Sequence, residues 1–548
     1  MFRALAPDGS AVDGFAFNGN TVTWTGTAPV DAGIRFELEL PPVDDPKWLV
    51  PGVFYGENRV EGCTRLYPRF TPGRVDVARM ESDTWSFRAD RCATPAVFAH
   101  GGGLVTTERS PLGQSGVGFA CRDGRPAVWL DFPYREEPLR YDGSETPAPP
   151  DVQTHRWQPG ERVTLELSQN DGDWRRVLRP RGGQQPAAWV SVEEAAELAA
   201  WGLYRWHYKP DPPRLIETRS FDGGEERDHM HVSWVSGVPY AYALLRHGRR
   251  VGNADYVRAA EAVIDHVAAN LAPGGTFWPQ WTHDRGWTWG WHPDHSRAHA
   301  RTLADAALFM LRAGGRWQKS ARSNLAVALR TQREDGAFPA AHHLETGEAL
   351  SWEGTAGMSW IPALVEAGHL AEARRAGDYY RRFDVWSGAP EDVDLAPTSE
   401  DGYAAVMAFV ALEDRETALR AADWTLTFRY SYDVEFDPET TLGRYGFRSR
   451  GADQASPANQ HLHAFGLICL PELLRLGEPY RSSALENLDC FRQFIARGDG
   501  DFGARRGMAA ERYLQTDCFG AKGTLDPLSH AWSIGVLLYA CEAMLEAA

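Results

Sequence analysis

From about residue 190 onward, helix-like segments are joined alternately by short turns and by long loops. Twelve such segments can be read. The even-to-odd connections take only a few residues, as at Arg249–Asn253, Gly314–Trp317, Gly368–Leu370 and Leu412–Arg415. The odd-to-even connections are long and rich in Trp, His, Asp and Glu. Such asymmetry places all the long loops at one end of a helical bundle. It predicts six helical hairpins closed into a ring with one functional face.

The helical part opens at Ser191-Val192-Glu193-Glu194, a capping-box pattern. The hairpins are read as 191–207 with 232–248, 253–271 with 296–314, and 317–332 with 355–368. The other three are 370–382 with 401–412, 415–430 with 459–477, and 480–497 with 527–546. Even segments are rich in small and apolar residues, such as Ala300, Ala304, Ala306, Ala307, Leu308 and Leu311, and suit an inner ring. Odd segments carry a charged face, such as Glu372, Arg374, Arg375 and Asp378, and suit an outer one. The predicted fold over 187–548 is an (α/α)6 barrel.

Residues 1–186 read differently. Short alternating runs at Thr21–Gly26, Ile34–Leu40, Arg74–Met80, Val117–Cys121, Ala127–Phe132 and Arg162–Leu167 lie between Gly, Pro, Asp and Asn turns. Many short strands at this spacing predict an antiparallel β-sandwich. The Pro- and Gly-rich stretch Arg179–Pro186 reads as the linker.

A chain of 548 residues can bury a large core, and its net charge of −17 argues against nucleic acid or an anionic membrane as partner. Seven Cys without metal spacing give neither a disulfide framework nor a zinc site, and no cofactor is predicted. No leader-like or membrane-spanning stretch is visible, so a cytoplasmic enzyme is expected unless a leader was removed. The β-sandwich has two roles open to it: lending a loop to the cleft, or mediating homo-oligomer formation.

In a hairpin ring the N-termini of the inner helices meet the long loops, and their free N–H groups attract polar ligands. The residues before the even helices are Asp228-His229-Met230-His231, Pro293-Asp294-His295, Ser351-Trp352-Glu353, Thr398-Ser399-Glu400-Asp401-Gly402-Tyr403, Asn459-Gln460-His461-Leu462-His463 and Asp526-Pro527-Leu528-Ser529-His530. Asp228, Asp294 and Asp526 taken singly read first as helix caps. The pairs His229/His231 and His461/His463 do not share a helical face, yet at a helix entry both members can point into a cleft. The loop from Thr276 to His292 holds Trp278, Trp281, Trp287, Trp289 and Trp291. Two or three of these are expected to pack beneath the loop. The rest suit sugar rings, which take apolar faces against aromatic platforms and polar groups at their hydroxyls.

Glycoside hydrolysis needs one protonated and one ionised carboxyl group. Glu353, beside Trp352 and small residues expected to desolvate it, is the first choice for the acid. Asp517, Glu400 and Asp401 are the candidates for the base. His229, His231, Trp278, Trp281, Trp287, Trp289, Trp291, Asp294, Trp352, Tyr403, His461 and His463 are the candidates for holding a carbohydrate.

The ring after an N-terminal β region resembles the six-hairpin glycosidases, and within them the glucoamylase-type enzymes. In that family a Trp-Glu pair before the sixth helix carries the acid, which the resemblance assigns to Trp352-Glu353. It places a second acid in the loop before the twelfth helix, where this chain has Asp517 and Glu511. It implies inversion at the anomeric carbon. A polysaccharide lyase is the alternative, with a His or Tyr base and a carboxylate neutraliser drawn from His229, His231, His342, His343, His461, His463, Tyr403, Arg444 and Arg448. A terpenoid-cyclase toroid stands lower. Gln332–Phe338 resembles that family's repeat but is not iterated, and Asp392-Val393-Asp394 lacks the last acid of its motif. A non-catalytic glycan-binding protein would need only the aromatic loop.

Overall fold

A computed structural model describes residues 1–58, 65–143, 146–178, 189–388 and 396–547. The expected linker, the acidic stretch Asp392–Asp394 and Cys63 lie outside these. The chain is a mixed α and β protein with many small antiparallel sheets.

The helical part is built from α1 (Val192–Gly202), α2 (Val238–Val251), α3 (Ala254–Ala268), α4 (Ala300–Ala313), α5 (Gln318–Thr331), α6 (Trp360–Glu366), α7 (Leu370–Tyr380), α8 (Ser399–Ala411), α9 (Arg415–Leu426), α10 (Leu470–Leu476), α11 (Tyr480–Phe491) and α12 (Ala531–Ala547). The helix starts are coded locally. The side chains of Ser191, Asn253 and Asp414 accept backbone N–H groups at the heads of α1, α3 and α9, and Thr398 with Asp401 forms a full capping box on α8. Gly252 ends α2 in the left-handed conformation at φ 71°.

The even helices touch one another in turn: α2 with α4, α4 with α6, α6 with α8, α8 with α10, α10 with α12, and α12 again with α2. The odd helices pack chiefly on the even helix that precedes each across a short turn: α3 on α2, α5 on α4, α7 on α6, α9 on α8 and α11 on α10, with α1 on α12. In α4 every residue from Ala300 to Leu311 except Asp305 is buried, as an inner position requires. The ring closes where α12 meets α2. A Cβ on Gly535 would come within 2.3 Å of the Tyr240 ring, so only glycine permits this approach. Deeper along the same seam Glu542 is buried and accepts from His247 at 2.8 Å and Arg250 at 2.7 Å. Gly535→Val is expected to destabilise the fold by about 1–3 kcal/mol through overpacking, read as a lowered Tm in thermal unfolding. An unchanged Tm would show that the seam can yield.

The N-terminal part has strands β1 (Phe2–Leu5), β2 (Val30–Glu39), β3 (Trp48–Val50), β4 (Phe54–Gly56), β5 (Thr84–Arg88), β6 (Ala96–Ala99), β7 (Gly102–Thr106), β8 (Gly116–Arg122), β9 (Arg125–Phe132), β10 (His155–Trp157) and β11 (Leu167–Asn170), among shorter ones. One antiparallel sheet runs β1-β2-β9-β8-β5, with β10 also paired to β2; another runs β11-β7-β6-β3-β4. β6 and β7 pack against β8 and β9, over a shared core that includes Trp48, Val97, Leu104, Phe119 and Val128. Arg74–Met80 departs from the expected strand: only Val75–Asp76 is extended, and Asp76 caps a 3-10 turn over Val77–Arg79.

The β part sits on the long-loop end of the ring. Tyr55 stacks on Phe428 at 4.5 Å, and the Tyr430 and Tyr432 hydroxyls donate to the Asp90 and Ala89 carbonyls at 2.8 and 2.9 Å. Among the described residues no helix is long and apolar enough to cross a membrane. Cys92, Cys469, Cys490, Cys518 and Cys541 are buried free thiols, and Cys121 is partly exposed.

Candidate functional site

Four of the six inner helices are entered from a short strand, and each strand ends on histidine. The strands are His229–His231 before α2, Arg297–His299 before α4, Leu462–His463 before α10 and Leu528–His530 before α12. Each is hydrogen-bonded to a strand in a neighbouring loop or segment, which fixes its register. His231, His299, His463 and His530 are all buried. Burial, to which Arg301 adds, holds His231 at about 3, and burial with Arg297 does the same for His299. Burial also lowers His463, with Glu400 opposing it, and lowers His461 well below the usual imidazole range, reinforced by Arg512. The rings of His231, His299, His461 and His463 are therefore neutral hydrogen-bonding groups at pH 7.

The strands also correct the reading of the acids beside them. Asp228, Asp294 and Asp526 cap no helix, because the strand stands between each and the helix. Asp228 binds Arg214 with both oxygens at 2.7 Å; Asp294 closes a local turn onto Ser296 N at 3.0 Å and Oγ at 2.6 Å. Asp526 lies 3.6 Å from Arg512, and burial raises its pKa.

At the centre of the ring lies a cleft of about 70 Å³. Glu400, Glu511, Arg512, His461 and His463 supply its polar wall, and Trp234, Phe465 and Trp532 its apolar one. Glu400 stands in the first turn of α8 and is ion-paired with the buried Arg301 of α4. The Arg301 guanidinium lies between the rings of Trp234 and Phe465, at 4.6 and 4.7 Å, and also pairs with Asp305 at 3.3 Å. Burial pushes Asp305 up to about 6 against the pull of Arg301. His463 Nε2 meets Ser399 Oγ at 3.0 Å. His461 Nδ1 and Arg512 Nε make no hydrogen bond among the described residues, the carboxylates nearest Arg512 Nε being Asp526 at 3.6 Å and Glu511 at 3.8 Å. Among the described residues no group of His, Cys, Asp and Glu is arranged to hold a metal ion.

The remaining predicted residues are dispersed. Glu353 is exposed, so the desolvation expected of it does not occur; its backbone N–H bonds Ser351 Oγ at 3.2 Å. With Trp352 it lines a separate cavity of about 1030 Å³ between the β part and the ring. Asp517 is clamped by β-part arginines: Arg88 at 2.7 Å and Arg91 at 3.2 Å. Burial would raise its pKa, but Arg91 and Arg88 outweigh it and hold it below the usual carboxylate range. Asp401 is buried in the capping box, taking Thr398 Oγ1 at 2.7 Å. Tyr403 is buried and donates to Asp453 at 2.8 Å.

The Trp loop folds as the hairpin Gln280–Thr282 and Gly286–Thr288, paired with His229–His231. Trp281 packs inward under Arg214, Trp278 and Trp287 are half-buried, and Trp289 stacks on His295 at 4.2 Å. The Trp291 ring meets the inner wall. It stacks on His231 at 5.0 Å and lies 5.9 Å from Trp234, yet is 36% exposed.

Arg301, Trp234 and Arg512 are missed by the sequence reading. The available signal for Arg301 was a charged pair at i and i+4, Arg301 with Asp305, inside an Ala- and Leu-rich inner helix, where an unpaired charge is too costly to bury.

Next to this wall, Glu217 is buried with Arg227 at 2.6 Å and His530 Nε2 at 3.6 Å. Burial alone would raise its pKa, but these partners hold it at about 2, below its ordinary 4.5. Its contribution to stability is thus present above pH 4.5 and lost as pH falls toward 2. Denaturant unfolding across that range should show stability falling with pH, with a shallower fall in Glu217→Gln; an equal slope in both would refute this.

No protein-family model matches the chain, and no curated protein is similar to it in sequence. Among solved structures it is similar to a D-mannose isomerase, at 12% identity over 65% of this chain and 97% of that one, with a TM-score of 0.47. It is similar to a polysaccharide lyase at 10% identity over 98% and 91% of the two chains, with a TM-score of 0.48. A family 76 glycoside hydrolase from a bovine Bacteroides thetaiotaomicron strain is similar at 10% identity over 98% and 100%, with a TM-score of 0.43. Likenesses this distant carry no argument about chemistry.

Proposed function

We propose that the chain is a carbohydrate-active enzyme, and within that class a glycoside hydrolase whose catalytic site is the cleft at the centre of an (α/α)6 ring. The observation that carries this reading is that two carboxyl groups from distant segments, Glu400 at the head of α8 and Glu511 in the loop before α12, line one cleft. Arg301 pairs with Glu400 and fixes its carboxyl group at the cleft. Glu400 then takes a proton from a water whose oxygen attacks the anomeric carbon. Glu511 gives its proton to the departing glycosidic oxygen. The neutral imidazoles and Arg512 bond sugar hydroxyls, and Trp234, Trp532 and the exposed face of Trp291 receive the ring faces. Glycan-panel screening of wild type, Glu400→Gln and Glu511→Gln, with products followed by NMR, tests this. Normal turnover by both variants would overturn it.

A second reading has one specific observation in its favour. His461 and Arg512 line the same cleft, and His461 Nδ1 and Arg512 Nε are without hydrogen-bond partners among the described residues. A neutral imidazole and a guanidinium are what β-elimination from a uronic acid needs: a base for the C5 proton and a partner for the carboxylate. A product absorbing in the ultraviolet, lost in His461→Ala and kept in Glu511→Gln, would favour it.

A further inference from the structure

The buried Arg91, on the turn after β5, reaches both loops that build the polar wall. Its guanidinium donates to Gln460 Oε1 at 3.1 Å, next to His461, and to Asp517 Oδ1 at 3.2 Å, in the loop that carries Glu511 and Arg512. Glu136 holds the other side of the same guanidinium at 2.5 and 3.2 Å. Arg88 adds a two-pronged grip on Asp517 at 2.7 and 3.2 Å. Two more contacts cross at this point: the Tyr141 hydroxyl donates to Ala458 O at 2.7 Å, and Phe519 N–H donates to Asp142 O at 3.3 Å. Phe519 sits at φ 66°, a conformation that a bulky residue keeps only where its surroundings impose it. So held, its ring meets His461 edge-on at 6.0 Å and lies under the Arg512 guanidinium at 5.4 Å.

We infer that Arg91 and Asp517 are positioning residues through which the β part fixes residues 517–519, and that Phe519 in turn sets His461 and Arg512 in the cleft. This rests on the cleft being the catalytic site. It replaces the role of base first considered for Asp517, whose oxygens are taken up by arginines, with a mechanical one. It also gives the β part a task in turnover without lending a loop to the cleft.

The test uses the full chain with Asp517→Ala, Asp517→Asn and Phe519→Ala. Asp517 is chosen because it is partly exposed, whereas Arg91 variants leave Glu136 buried without its partner and can fail to fold. Hydrogen exchange should rise across 511–526 and 455–463 in Asp517→Ala and stay at wild-type level in α3 to α6. On a substrate the wild type turns over, kcat should fall on the order of 10- to 100-fold in Asp517→Ala and Phe519→Ala, the scale of a displaced catalytic group. Asp517→Asn, whose amide oxygen still accepts from arginine, should recover most of this, and the acid limb of the pH–rate profile should persist in all three. Unchanged exchange in Asp517→Ala would overturn the inference. So would an Asp517→Asn as inactive as Asp517→Ala with the acid limb gone, because Asp517 would then itself titrate in the reaction. If Glu400→Gln and Glu511→Gln turn over normally, the cleft assignment falls, while the exchange data still decide the clamp.

Discussion

Glu400→Gln is expected to remove turnover almost completely while leaving the ring folded. The amide cannot accept the proton of an attacking water, and loss of a general base costs roughly 10²- to 10⁴-fold in kcat. The fold should survive because Arg301 keeps Asp305 at 3.3 Å and its seat between Trp234 and Phe465. KM should change less than kcat, since Glu400 acts on the water and the imidazoles and tryptophans hold the sugar. Glu511→Gln should lose activity comparably on substrates with poor leaving groups and much less on activated aryl glycosides, whose departure needs no proton. Glu353→Gln, made alongside, is expected to retain activity, because Glu353 is exposed in a different cavity. If Glu353→Gln proved inactive and Glu400→Gln active, the chemistry would belong to the cavity between the β part and the ring.

The architecture was legible because helix-period patterns and turn lengths are local signals. Arg249–Asn253 and Leu412–Arg415 are tight turns between helices, as read. Ring order follows once every even-to-odd turn is too short to cross the bundle. The helix entries were harder. The segment 459–477, read as one helix, contains the strand Leu462–His463, a 3-10 turn over Phe465–Cys469 and only then α10, in whose first turn Pro471 sits. The signal for a strand was present in His229-Met230-His231: residues at i and i+2 fail to share a helical face but do share a strand face. The site was less legible because its assembly is non-local. Glu400 faces the cleft while its neighbour Asp401 is a cap, a difference set by α8's rotation. Asp517, in a loop that builds the cleft wall, is claimed by arginines more than four hundred residues earlier in the chain. Nothing in the sequence around Trp352-Glu353 shows that its surroundings leave Glu353 in solvent.

Arg301→Met should produce the largest loss of stability of any single change in the ring. Arg301 is buried, and its guanidinium pairs with both Glu400 and Asp305 beside Trp234 and Phe465. Removing one partner of a buried ion pair typically costs 3–5 kcal/mol, because the charge left behind has neither water nor a counter-ion. The sign of the pH dependence follows. Asp305 already stands at about 6 in the folded protein, above its ordinary 3.8, and losing Arg301 removes the main influence holding it down. A carboxyl whose pKa is raised by folding binds its proton more tightly in the native state, so stability falls as pH rises from the unfolded value through the folded one. Arg301→Met should therefore be most stable near pH 4 and lose stability steadily toward pH 7, the range over which Asp305 must ionise or stay protonated at a cost. Urea unfolding at pH 4, 6 and 8 reads this directly. Adding Asp305→Leu and Glu400→Gln to Arg301→Met should flatten the pH dependence and restore much of the loss, since an all-neutral cluster has no stranded charge. A single variant that lost less than about 1 kcal/mol with no pH dependence would show that water reaches Glu400 and Asp305 without the guanidinium. Arg301 would then be needed for packing alone.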